Sequence, residues 1–401
     1  VLWARSLLEW QVSERTQLRN TLYHYDALRD YRNVESYRLT PDRQGVIRSS
    51  ALLQRHDQQL FGDRIEWSHD GTLATLPTQW SAGIAATSNR HTRFPLSLSG
   101  VVDTVPIDSV TPGSFFDVPG AEQVYRPDRT NRLHTQALFV ENLTRLGPQL
   151  SLLTGLRHDW IDLDVVNHRA INATNPARFQ HDYSPTTGRV ALDYAWTPTV
   201  STYMQVATSA DPPAGILSTA NFATLRDFDL STGRQEEVGA KFQSTDARNY
   251  ATLAAYRIVR EDLAITDPAN PGQTLPVGQQ SSRGVELAFG LKPLRDLSIE
   301  GNLAWVDATL DDFYENVGGV SVSRAGNRPT NTPSRIANLW LDYAFAPQWT
   351  TGIDLRALSS RYADSANTTK AAGYGVFGAH LRWQLDAATS LAVRGGNLGD
   401  R

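Results

Sequence analysis

The chain has 401 residues, of which 40% are apolar, 20% charged and 9% aromatic, and its formal net charge at pH 7 is −4. This balance gives no basic footprint, so nucleic acid is excluded as a partner. The sequence contains no cysteine, which excludes a disulfide framework and a Cys-ligated metal site. No apolar run reaches the roughly 18 residues of a membrane-spanning helix.

Short segments of alternating polarity, separated by polar turns, recur along the whole chain. In chain order they predict sixteen strands, near residues 2–11, 15–38, 44–70, 79–91, 133–143, 149–166, 182–196, 199–209, four within 233–310, then 334–346, 349–362, 373–384 and 390–398. In one of these strands Val285 and Leu287 flank Glu286, so one face is apolar and the other polar. Such alternation fits either a soluble antiparallel sheet or a membrane barrel with a polar lumen.

The links between these strands alternate in length. Short links are predicted near residues 13–14, 70–77, 144–148, 197–198, 244–248, 291–296, 346–348 and 386–389, and every other link is predicted to be longer. The long links include Thr92–Arg132, Val166–His181, Asp211–Thr232, Asp262–Gln279 and Asp312–Pro333. Outer-membrane barrels sort their loops in this way, with short periplasmic turns and long extracellular loops. The sequence therefore predicts an all-β, up-and-down antiparallel transmembrane barrel, with Thr92–Arg132, Asp211–Thr232 and Asp312–Pro333 on one rim.

Strand length and aromatic placement support the barrel. The strands near 15–38 and 45–70 exceed the 9 to 11 residues, approximately, that cross a bilayer. Aromatic residues gather beside the short links, as expected for a girdle at one membrane interface. They are Trp80, Tyr194, Trp196, Tyr343, Phe345, Trp349 and Trp383.

Motifs for enzyme chemistry are absent from the sequence: it has no HExxH, no GxSxG, no phosphate-binding loop and no GxGxxG between strand and helix. His158 is flanked by Arg157 and Asp159 and is interpreted as a residue of the barrel wall. Asp162 and Asp164 share a face that Asp159 does not, and no calcium loop follows them. The acidic side chains of Asp311, Asp312 and Glu315 are interpreted as solvated. No enzyme, resident cofactor or metal site is predicted.

Several segments, taken together, carry a resemblance to a known family. They are GRQEEVGAKFQ from Gly233, SSRGVELAFGLKP from Ser281, RAGNRPTNTPSRIANLWLDYAF from Arg324, SLLTGLRHDW from Ser151 and the final GGNLGDR. Their order and spacing resemble the barrel strands of TonB-dependent outer-membrane receptors of the ferric-siderophore branch. The chain departs from that family at Gly399, where a bulky residue is usual.

The resemblance implies a barrel of about 22 strands around a plug, and no plug or energy-coupling box is present in this sequence. We therefore expect residues 1–401 to be a partial barrel domain that lacks the plug, the first five strands and the last strand. Its sheet is expected to stay open, with no ladder between residues 2–11 and 390–398. Five apolar side chains should then be exposed on the convex face: Val285, Leu287, Ile299, Leu339 and Ile353.

The function implied is that of a bacterial outer-membrane receptor, which binds a ferric siderophore and imports it with TonB-coupled energy. Its expected partners are the siderophore, the TonB complex through the missing plug and membrane lipid, with the protein as a monomer; iron enters only as part of the substrate. Alternatives are uptake of cobalamin, haem or an oligosaccharide, a surface adhesin or sensor, and a soluble all-β hydrolase.

Candidate ligand-binding residues combine rings, which can lie against an organic scaffold, with arginines, which can meet anionic oxygens. They are Arg90, Arg93, Phe94, Phe115, Phe116, Tyr125, Arg126, Phe222, Arg226, Tyr314, Arg324, Arg328, Arg361 and Tyr362. A second set is expected to face the lumen or plug. It comprises Glu237, Lys241, Glu286, Glu300, Asp354, Arg356 and Arg382.

Overall fold

A computed structural model describes residues 1–109, 118, 120–122, 124–173, 175–211, 221–222, 229–266 and 274–400. Its twenty strands are β1 (Leu2–Ser13), β2 (Thr16–Leu39), β3 (Gly45–Leu73), β4 (Leu76–Pro106), β5 (Arg129–Arg145), β6 (Leu150–Asn167), β7 (Arg178–Tyr183), β8 (Thr186–Thr197), β9 (Val200–Asp211), β10 (Ser231–Gln243), β11 (Tyr250–Thr266), β12 (Thr274–Leu294), β13 (Leu297–Val317), β14 (Val320–Ser323), β15 (Arg335–Ala346), β16 (Trp349–Leu358), β17 (Arg361–Tyr362), β18 (Lys370–Ala371), β19 (Tyr374–Gln384) and β20 (Ser390–Gly395). No helix in these described ranges is long and apolar enough to cross a membrane.

Sixteen of these strands form one antiparallel wall, which confirms the predicted number and direction. The 18-stranded sheet consists of this wall together with the short β7 and β14, while β17 and β18 form a separate hairpin. Each wall strand is antiparallel to its neighbour in sequence, so successive links lie on alternate rims. The predicted long links therefore share one rim, the long-link rim, and the turns near Gly147, Asp246 and Pro347 lie on the other, the short-turn rim. In the described part of the chain β1 pairs only with β2, and β20 only with β19, so the sheet is open as expected.

The two sides of the wall differ in chemistry because alternate residues point to opposite sides of a strand. We call one side the polar face; it carries Arg64, Glu141, Arg189, Glu237 and Asp354. The opposite side, the apolar face, carries Ile84, Leu138, Leu156, Met204 and Leu253, each at least half exposed. Of the five apolar residues expected to be exposed, Val285, Leu339 and Ile353 are so, whereas strand neighbours half bury Leu287 and Ile299. A soluble sheet would cover this face with a core.

Several predicted loops are in fact strand. Residues 92–106 continue β4 rather than opening a loop, and β13 runs to Val317 rather than ending near Asp312. The prediction that every link on the long-link rim is long was also wrong, because Thr40–Gln44 is a tight turn closed by a hydrogen bond from the Thr40 amide to the Gly45 carbonyl. Polar and apolar residues continue to alternate along β2 and β3, so the two strands stay paired up to Leu39 and Val46, next to this turn.

Two predicted strands are interrupted. Residues 182–196 divide into β7 and β8, with Pro185, which has no amide hydrogen to donate to a ladder, at the break. The strand predicted for 349–362 ends at Leu358, after which Arg361 and Tyr362 pair with Lys370 and Ala371 instead. Both interruptions lie towards the long-link rim.

The pairing of β3 with β4 is unbroken over most of its length. From the pair Ala51 and Leu98 down to Leu73 and Leu76 the register does not shift, and its irregularities lie beyond Ala51, around Ser49. Even and odd positions of β3 therefore keep to their own faces all the way from the short-turn rim to Ala51, near the long-link rim.

Aromatic side chains lie beside the short turns, as the sequence predicted. Trp349 and Trp383 stack with their ring centroids 5.3 Å apart, and Tyr194 and Trp196 meet edge to face at 4.7 Å. Rings with a polar handle suit the interface between apolar chains and water.

A close approach on the polar face makes Gly239 sensitive to substitution. A Cβ at this position would lie 2.5 Å from the Tyr203 ring, and that ring is held by Glu237 and covered by the Lys241 ammonium. We expect Gly239→Val to destabilise the wall by about 1–3 kcal/mol through overpacking, measured as a lower Tm in detergent. Gly375→Val is the control, since a Cβ at Gly375 has no neighbour within 4 Å; equal losses for the two variants would contradict the steric explanation.

Candidate functional site

The polar face carries a cluster of bases at the long-link rim, built by four adjacent strands. Gln54 and His56 alternate along β3, and His91 and Arg93 alternate along β4, so all four point to the same side. Arg93 is the register partner of both His56 and Arg129. Tyr31 of β2, which pairs with Gln54, completes this rim cluster.

The Gln54 side chain lies at the centre of the rim cluster. With its amide oriented to satisfy its neighbours, the oxygen accepts hydrogen bonds from Arg93 Nε at 2.8 Å, Arg93 Nη2 at 2.7 Å and His56 Nε2 at 2.9 Å. The amide nitrogen then donates to the Tyr31 hydroxyl at 2.5 Å. His56 Nδ1 lies 3.1 Å from His91 Nε2. A neutral amide thus fixes the directions of a guanidinium and an imidazole.

The rim cluster disfavours additional positive charge. His56 lies farther from the short turn after Leu73 than the 9 to 11 residues, approximately, that cross a bilayer. Burial, with His91 and Arg93 adding repulsion, lowers the pKa of His56 to about 4. Burial and the charge of Arg93 likewise lower the pKa of Arg129 to about 10.

An aromatic cluster adjoins the bases on the same face. Phe179 and Tyr183 of β7 alternate with outward residues and pack with Leu163 and Val165 of β6. Phe222, from the link after β9, meets Phe179 edge to face at 5.2 Å. Burial, together with the nearby charge of Asp229, raises the pKa of Tyr183 to about 12. The rim therefore offers cations beside rings.

The predicted ligand-binding residues of the first links divide between the two faces. Arg93 and Phe222 lie on the polar face, within or beside the rim cluster, although Arg93 is on a strand rather than a loop. Arg90 and Phe94 are on β4 but point to the other side, and Tyr125 lies under the Arg55 guanidinium, 3.5 Å from it, on that same side. Arg126 is exposed. The positions of Phe115, Phe116 and Arg226 lie outside the described residues.

The remaining predicted ligand residues belong to the links after β13 and β16, where most of them bind other residues of the strands and links. Arg324 pairs with Glu315 at 2.7 Å, and both side chains are only 17% exposed. Arg328 donates to the Val306 carbonyl at 3.0 Å. Arg361 donates to the Asn331 side chain, the Tyr362 carbonyl accepts from the Asn331 amide, and Tyr314 is exposed at the end of β13.

All seven residues expected in the lumen lie on the polar face: Glu237, Lys241, Glu286, Glu300, Asp354, Arg356 and Arg382. Glu237 accepts hydrogen bonds from Tyr203 at 2.6 Å, Gln205 at 3.2 Å and Gln235 at 2.9 Å. Asp354 pairs with Arg394 at 3.0 Å.

Sequence reasoning missed Tyr31, Gln54, His56, His91 and Arg129. The available signal was the alternation itself: extending the strand of residues 79–91 by two residues would have placed Arg93 beside His91, on the lumen side. Their meeting across four strands depends on register, which no single segment encodes.

An open antiparallel wall with one polar and one exposed apolar face is the wall of an outer-membrane β-barrel. Residues 3–398 match the family described as TonB dependent receptor-like, beta-barrel, and the chain belongs to that family. The family consists of receptors and transporters of the outer membrane, so the soluble hydrolase alternative was wrong.

Similar proteins of known function extend well beyond this chain. The ferrichrome outer membrane transporter/phage receptor of Escherichia coli K12 is 27% identical over 281 residues, which are 68% of this chain and 35% of that protein. The ferrioxamine receptor of Yersinia enterocolitica is 25% identical over 57% of this chain and 30% of its own length. The siderophore receptor PiuA of Acinetobacter baumannii superposes with a TM-score of 0.81 at 19% identity, covering 100% of this chain and 60% of that structure. The chain thus spans about a third of the length of these curated relatives.

The lowered pKa of His56 predicts a pH dependence of stability. Between the ordinary pKa of 6.5 and the folded value of about 4, the unfolded chain binds a proton that the folded chain does not. The contribution of His56 is therefore complete above pH 6.5 and is lost as the pH falls towards 4. We expect His56→Gln to reduce the fall in Tm across this interval, while His158→Gln, on the other face, follows the wild type. Identical Tm slopes for His56→Gln and the wild type would refute this.

Proposed function

We propose that this chain is the main part of the barrel wall of a receptor that binds a ferric siderophore at the cell surface and imports it with TonB-coupled energy. The observation that carries the proposal is the family match over residues 3–398 together with curated relatives that are receptors for iron chelates. The rim cluster supports it, because cations and rings lie together on the face that lines the lumen.

The roles of individual residues follow from their faces. We assign ligand contact to Arg93 and Phe222, and contact with lumen water or a plug to the seven lumen residues from Glu237 to Arg382. Arg324, Arg328 and Arg361 are assigned to contacts within the wall and its links rather than to the ligand. In the proposal iron is cargo within its chelate, and no resident cofactor or catalytic step is assigned to the protein.

Several parts of the proposed receptor lie outside this wall. In the proposal a plug domain, further strands at both edges of the sheet and the contact with the TonB complex belong to the longer protein. In the proposal the apolar face meets lipid, the closed barrel leaves no strand edge to pair with another molecule, and the receptor acts as a monomer.

A second candidate cargo is a chelate of another metal. It is favoured by the metal-pseudopaline receptor CntO of Pseudomonas aeruginosa PAO1, which is 27% identical over 69% of this chain and 38% of its own length. The same rim would serve, since its rings and guanidiniums would contact the organic scaffold of either chelate.

Ligand titration of the full-length receptor tests the proposal. We expect saturable quenching of tryptophan fluorescence by at least one ferric chelate from a panel of hydroxamates and catecholates, and none by cobalamin or haem. Uptake of radiolabelled iron by cells carrying the receptor should disappear in a host without TonB. Binding of cobalamin, haem or an oligosaccharide alone would assign a different cargo.

A further inference from the structure

Near the long-link rim, the strands β2 to β7 present bases but no carboxylates to the polar face. On the polar face, towards the long-link rim, these strands present alternate residues of 23–33, 52–62, 87–95, 129–135, 161–167 and 179–183, which lie side by side in the register. These positions include three arginines and three histidines and no aspartate or glutamate. The bases of this set, which we call the basic band, are Arg29, His56, His91, Arg93, Arg129 and His181.

The carboxylates of the same strand segments point to the other side. They are Asp26, Asp30, Asp57, Asp162, Asp164 and Asp182. Two of them are already neutralised there, because Asp30 pairs with Arg55 at 2.6 Å and Asp164 pairs with Arg178 at 2.7 Å. A ligand on the polar face therefore meets the bases directly, with the sheet between it and these acids.

The two arginines of the basic band that are not fully buried have neutral partners. Arg93 donates to the Gln54 amide oxygen, and the exposed Arg29 guanidinium lies 4.5 Å from the centroid of the Tyr31 ring. A neutral partner orients a guanidinium without cancelling its charge, which stays available to an anion. The polar face of β10 to β13 differs, since it carries Glu237, Glu286 and Glu300.

We infer that the basic band selects iron chelates that carry net negative charge, with Arg29 and Arg93 as the contacting cations and Tyr31 as the ring against the chelate scaffold. This inference rests on the proposed function and narrows its substrate class. A ferric tris-catecholate, which is a trianion, fits the band. A neutral ferric tris-hydroxamate of similar size gains nothing from these charges.

The test compares these two chelates on the full-length receptor in detergent, using tryptophan quenching. We expect the trianion to bind more tightly, and its affinity to fall as salt rises, because exposed charges are screened. Arg93→Gln and Arg29→Gln should each weaken the trianion by about tenfold, as for loss of a charged hydrogen bond, and leave the neutral chelate unchanged. The matched control is Arg90→Gln, three positions from Arg93 on β4 but on the opposite face.

The possible results distinguish a failure of the charge preference from a failure of the proposed receptor function. Equal or tighter binding of the neutral chelate, with Arg93→Gln and Arg29→Gln both behaving like wild type, would overturn the charge preference while leaving the receptor function intact. Equal weakening by Arg90→Gln would also overturn it, since the effect would then not belong to the polar face. Binding of neither chelate would overturn the proposed function and the charge preference together.

Discussion

The need to pair every backbone amide and carbonyl inside a bilayer governs this structure. No water in the hydrocarbon region can replace a missing partner, so a chain crosses as a helix or as strands in a continuous ladder. Here the ladders run without interruption from β1 to β20 through sixteen wall strands. Since the ladder uses the backbone alone, side chains are free to differ completely between the two faces.

That freedom explains the chemical contrast across a single sheet. Leu253 and Leu287 pair on the apolar face, while their neighbours Ala254 and Glu286 pair on the polar face. The same rule continues beyond the bilayer, where it no longer separates lipid from water. There it keeps acids off the face that carries the rim cluster, with Asp57 on one side of β3 and His56 on the other.

Much of the fold follows from sequence because period-two alternation and turn residues are local signals. The turn near Ser244 and the alternation around Glu286 each lie within a few residues, and both were predicted correctly. The length of β4 was not predicted correctly, because Arg93 and Phe94 lie among polar and Pro-rich residues that also suit a loop. Whether such residues extend a strand depends on the partner, and residues 94–106 have theirs in β3.

The candidate site was less predictable than the wall. Arg93 and Phe222 were identified by residue type, but so were Arg324 and Arg361, whose guanidiniums bind the Glu315 and Asn331 side chains of the links. Type alone does not tell a guanidinium that faces a lumen from one that fastens a loop. His56 and Gln54 were overlooked since neither stands out until its register partner is known.

The unbroken register between β3 and β4 constrains how such a receptor can change in evolution. A deletion or insertion of one residue between His56 and Leu73 would turn every side chain beyond it to the opposite face, moving His56 to the side of Asp57. Length changes here are therefore tolerated in steps of two or when a bulge absorbs them, whereas the irregularity near Ser49 already allows odd steps farther out. Variation in the number of residues should concentrate beyond Ser49. The number of residues between the bilayer and the rim cluster should change only in steps of two.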